Sequence, residues 1–73
     1  MRERVDPLHP LDATNALPGT RIQHKSTGRR ATIVRQEWPQ VWVIEDGQRN
    51  TRHRKIYATQ FRLLTTEDNA NGA

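Results

Sequence analysis

Between residues 18 and 64 a turn signal interrupts the chain about every eight to ten residues, and this spacing restricts the possible folds more than any other feature. Pro18-Gly19 opens the block, and Lys25-Ser26-Thr27-Gly28, Glu37-Trp38-Pro39-Gln40, Asp46-Gly47 and Ala58-Thr59-Gln60 divide it. Glycine supplies the positive φ that tight turns need, and proline withholds a ladder hydrogen bond. The intervening segments are of strand length, too short for most helices.

Strands are therefore expected at residues 20–24, 30–36, 41–45, 48–54 and 61–64, with apolar character recovered at Lys55-Ile56-Tyr57 after the fourth. Val41-Trp42-Val43-Ile44 is the strongest, being wholly β-branched or aromatic. Asp46-Gly47 tolerates the two positive φ angles of a type I′ hairpin, which predicts the return strand over residues 48–54. That strand has almost no apolar face and must sit at an exposed edge or bulge outward. An amphipathic helix over residues 51–64 competes, because Ile56, Gln60, Leu63 and Leu64 fall near helical spacing. Tyr57, Thr59 and Phe61 favour strand.

About five short antiparallel strands in so short a block fit an all-β domain, a small SH3-like partly open barrel. Its expected core is Ile22, Ala31, Ile33, Val41, Val43, Ile56, Phe61 and Leu63. Residues 1–17 hold Pro7, Pro10 and scattered Leu8, Leu11 and Leu17 without a helical or strand period, so they read as a flexible arm. Those leucines suit an arm that orders on a partner. Residues 65–73 read as a disordered tail.

Only 33% of the 73 residues are hydrophobic. One small core is all they can build, with stability near the lower end of the usual ~5–15 kcal/mol. With no cysteine, neither a disulfide nor a thiolate-bound zinc can add to it. The first residues alternate charge with proline and include no apolar stretch, so a soluble, intracellular protein is expected.

Charge is distributed unevenly. Residues 18–64 carry ten Arg and Lys against Glu37, Glu45 and Asp46, a net of +7, whereas both flanks are acidic. This concentration points to a polyanionic or acidic partner. Its densest part is Arg49-Asn50-Thr51-Arg52-His53-Arg54-Lys55, which has four permanent cations and no carboxylate. Strand alternation sets Arg52 and Arg54 on one side and Arg49, His53 and Lys55 on the other, so phosphates could be gripped from two directions. Arg29 and Arg30 follow the first turn and are expected to share a rim with that edge. Trp38, beside Pro39 in a turn, suits base stacking or anchoring of a protein interface. Trp42 is expected to pack on the sheet. A plain solubility role for the cations is the competing reading.

Nothing comparable points to catalysis. His9, His24 and His53 are too dispersed for a metal site, and Ser26 lacks an orienting acid. The expectation is a non-enzymatic binder without metal or cofactor.

Pro18-Gly19-Thr20-Arg21-Ile22, the basic turn with Gly28, and Ala31-Thr32-Ile33-Val34 resemble the opening of KOW and related SH3-like modules of transcription elongation and ribosomal proteins. In length, arm, basic core and acidic tail the chain is similar to small bacteriophage regulators of host RNA polymerase, such as the transcription inhibitor and antiterminator of a lytic Xanthomonas phage. That resemblance implies a monomer in the host cytoplasm that binds the N-terminal region of the polymerase β′ subunit. It also implies inhibition of initiation and promotion of antitermination, with the elongation factor NusA and nascent RNA as further partners. An SH3-like module that binds DNA or RNA directly is the alternative. Gly19-Thr20-Arg21-Ile22-Gln23-His24-Lys25-Ser26 and Arg54-Lys55-Ile56-Tyr57 also resemble segments of type II dihydrofolate reductases, with the family's glutamine replaced by Lys55 and its functional lysine by His24. This second resemblance implies NADPH-dependent reduction by a symmetric tetramer.

Overall fold

The computed structural model describes residues 2–47 and 52–67, which form six antiparallel strands and one short 3-10 turn. The strands are β1 (Arg2–Val5), β2 (Arg21–His24), β3 (Arg30–Glu37), β4 (Gln40–Glu45), β5 (Arg54–Tyr57) and β6 (Phe61–Glu67). Their order in the sheet is β1-β6-β2-β3-β4-β5, and the 3-10 turn at Ala58–Gln60 returns the chain from β5 to β6. The sheet curls into a half-barrel of the SH3-like type with β1 added outside β6. No helix among the described residues is long and apolar enough to cross a membrane.

Side-chain alternation produces the inner face. Ile22 stands opposite Ala31, Ile33 opposite Val43, and Val41 opposite Ile56, so the strand period drives one aliphatic set inward. Ile22, Ile33, Val41 and Val43 are fully buried, joined by Ala31, Ala58 and Phe61, with Ile56 packed against them. Each fully buried aliphatic of this size contributes about 1.5–3 kcal/mol. A register shift between Ile33 and Arg35 inserts an extra residue into β3, which bends that strand and adds twist.

Residues 2–17 correct the sequence expectation of a flexible arm. They are part of the fold, because β1 pairs with β6 over four residues and Ala16 lies in the core. The intervening segment is held by polar contacts: Asp12 Oδ1 accepts from the backbone N–H groups of Thr14 and Asn15, and Gln36 Nε2 donates to the carbonyls of Ala13 and Ala16, both at 2.9 Å. A glutamine on the inner face of the sheet thus fastens the arm across the end of the barrel. The described residues form six strands rather than about five, for the same reason.

Two other boundaries shift. β6 runs to Glu67, so residues 65–67 belong to the sheet, where β1 supplies their partners; residues 68–73 lie outside the described residues. Leu64, rather than Leu63, is the buried leucine, since Val5 of β1 stands opposite it on the outer face. Leu63 faces inward opposite Ile22 but is only half-buried, at the side of a groove. The described residues 52–64 carry no α-helix, the competing reading; β5, the 3-10 turn and β6 stand there, as the strand-favouring residues predict.

Candidate functional site

The expected basic edge is only partly a strand. β5 begins at Arg54, while Arg52 and His53 precede it as exposed, non-strand residues; Arg49, Asn50 and Thr51 lie outside the described residues. Arg54 and Lys55 then point to opposite faces, as alternation requires. Arg54 stands across from Val43 on the inner face, where its Nη1 donates to Glu45 Oε1 at 2.6 Å. Lys55 stands across from Trp42 on the outer face, with its Nζ 5.9 Å from the indole centroid and 3.6 Å from Glu37 Oε1.

Glu37 is the hub of this outer face. Its Oε2 accepts from the Trp42 indole N–H and from Arg35 Nη2, the latter at 3.0 Å, while Oε1 faces Lys55. The Trp42 hydrogen bond, reinforced by Lys55 and Arg35, holds the Glu37 carboxyl below the usual carboxylate range. Trp42 is half-buried and packs on the sheet as expected.

Arg29 and Arg30 separate, which corrects the expectation of a single rim. Arg29 joins Arg54, His24, Glu45 and Phe61 around a cleft of about 200 Å³ at the inner mouth of the barrel. Arg30 turns to the outer face, 3.6 Å from Glu3 Oε1, because it is the first residue of β3 and alternates with the inward Ala31. Within the cleft, His24 stacks edge-on against Phe61 at 5.0 Å, and its Nδ1 accepts backbone hydrogen bonds from Ser26 and Thr27, both at 3.1 Å. That imidazole nitrogen is thus occupied in shaping the turn.

Trp38 sits exposed in the turn between β3 and β4, next to a cis bond to Pro39. Tyr57 is brought to the same end, since it stands opposite Gln40 and the N–H of Ala58 donates to the carbonyl of Pro39. At 38% and 56% exposure the two aromatics are available to a partner.

No protein-family model, curated protein or solved structure matches the chain.

Sequence reasoning missed how positive charge is cancelled on one side and left over on the other. Arg21 spends its donors on Glu3, Asp46 and Thr32, with Nε–Oε2 and Nη1–Oδ1 contacts of 2.6 Å. Together with Arg30 it balances the two carboxylates. Toward β5, by contrast, Arg29, Arg35, Arg52, Arg54 and Lys55 meet only Glu37 and Glu45, a surplus of +3 among the described residues. The signal lay in the positions of the acids, which can be assigned to strands only once the register is known.

Proposed function

We propose that the protein is a non-enzymatic regulator that binds bacterial RNA polymerase in the host cytoplasm, docking on the N-terminal region of the β′ subunit to inhibit initiation and promote antitermination. The resemblance to small phage regulators supplies the partner. The observation that carries the reading to this surface is the surplus of cations toward β5, whose other end carries the exposed Tyr57 near the Trp38 turn. Arginines and exposed aromatics are the residue types that dominate protein interfaces, and surplus positive charge speeds encounter with an acidic surface. NusA and nascent RNA are further contacts of the same assembly.

A pull-down from bacterial lysate with the full chain tests this. Recovery of polymerase with its β′ subunit is expected, falling about tenfold when Arg52, Arg54 and Lys55 are replaced together by Ala. Recovery of no polymerase subunit contradicts the reading. Retention of nucleic acid alone, after removal of polymerase, replaces it with a direct DNA- or RNA-binding module.

A further inference from the structure

A second surface lies on the opposite side of the chain's own arm. Residues 5–11 run beside the 3-10 turn and the start of β6 and leave a groove of about 670 Å³. Its walls are aliphatic and aromatic: Val5, Pro7, Leu8 and Leu11 on the arm, Phe61 and Leu63 on the barrel. Leu8 is 80% exposed, an unusual position for a leucine held by its backbone. The carboxylate of Asp6 fixes it there, accepting from the N–H groups of Leu8 and His9 at 2.8 and 3.1 Å and from His9 Nδ1 at 3.0 Å. Those bonds hold the Asp6 carboxyl below its ordinary range, with the Leu8 N–H the largest contributor.

The groove is also charged. Lys25 and Arg62 line it, and neither forms an ion pair with a carboxylate among the described residues. The one carboxylate in the lining, Asp6, is turned to its own loop.

We infer that this groove binds an extended segment of a partner protein in which leucines alternate with acidic residues. An extended segment directs successive side chains to opposite sides, so every second one can enter against Leu8, Leu11 and Leu63. The intervening carboxylates point back toward the rim, where the long exposed side chains of Lys25 and Arg62, which have no ion pair of their own among the described residues, reach them. Seven residues reach at most about 23 Å fully extended, and the turn at Asp6 shortens that, so the groove takes at most about six residues of a bound strand. This inference stands apart from the polymerase reading, because it uses neither the β5 end nor Trp38.

The test is a titration of the ¹⁵N-labelled full chain with a synthetic peptide of alternating Asp and Leu about ten residues long, followed by amide shifts. Saturable shifts confined to residues 5–11, Lys25 and residues 58–63 are expected. A Lys-Leu peptide of equal length should bind about tenfold more weakly, and Leu8→Ser should weaken the Asp-Leu peptide by about the same factor. Leu8 is exposed, so that variant keeps the fold. Lys25→Glu with Arg62→Glu should reverse the preference between the two peptides. Absence of saturable shifts, shifts centred on residues 52–55, or equal binding of both peptides overturns the inference. So does an oligouridine of similar length that shifts the groove while Leu8→Ser changes nothing, which would assign the surface to RNA. Polymerase recovery in the pull-down is scored separately, so either reading can fail alone.

Discussion

Arg21 ties three parts of the chain that are distant in sequence. Its guanidinium reaches Glu3 on β1, Thr32 on β3 and Asp46 after β4, so one planar group clasps the outer face. The hydrogen bonds from Arg21 lower the Glu3 and Asp46 carboxyls, and the same carboxylates raise the guanidinium. Arg21 is 28% exposed, so water screens these pairs and keeps their value modest. Arg21→Met is expected to reduce unfolding free energy at neutral pH by about 1–2 kcal/mol in urea titrations. The pH dependence follows from the sign of the shifts. Carboxyls lowered in the folded state stabilise it fully above their unfolded value of about 4, and that contribution disappears as pH falls through the lowered values. Stability of the native chain should therefore drop below about pH 4 more steeply than that of Arg21→Met. Parallel acid profiles for the two proteins would contradict the clasp.

The strands show where sequence suffices and where it does not. Turn residues marked the β2–β3, β3–β4 and β5–β6 connections to within a residue or two, because Gly28, Pro39 and the Ala58–Gln60 step act locally. Period-two alternation likewise named Ile22, Ala31, Ile33, Val41 and Val43 as core. β1 was illegible, since Arg2–Val5 has a single aliphatic residue and its partner is the far end of the chain. Ala16 and Gln36 were equally silent: an alanine in a polar stretch and a glutamine in a strand acquire roles only through tertiary contact. In the candidate site, the cations at residues 52–55 were legible as composition, but their division between two faces required the pairing with β4. Two predictions follow from these placements. Leu64→Ala should cost about 2–3 kcal/mol and Leu63→Ala clearly less, by denaturant midpoint, the reverse of the order expected from alternation alone. Gly28→Ala should cost about 1 kcal/mol, because φ is +75° there even though the added methyl would meet Gln23 at an ordinary 3.4 Å.

The molecule as a whole is a small barrel with unequal sides. Near Arg21 acids and bases balance, whereas toward β5 cations are in excess, and the arm groove adds Lys25 and Arg62 with no ion pair of their own among the described residues. Binding driven from the β5 end should weaken progressively as salt rises, since screening acts on exposed charge at lengths of about 8–10 Å. Measured with purified polymerase, the salt slope should be shallower for the Arg52, Arg54 and Lys55 triple alanine variant; an unchanged slope would return those cations to a solubility role. The most direct measurement is crosslinking of the full chain to purified bacterial RNA polymerase, with the linked peptides read by mass spectrometry. The account predicts links from Lys55 and its neighbours to the N-terminal region of β′. A polymerase that captures no crosslink, or captures links only at other subunits, would contradict it.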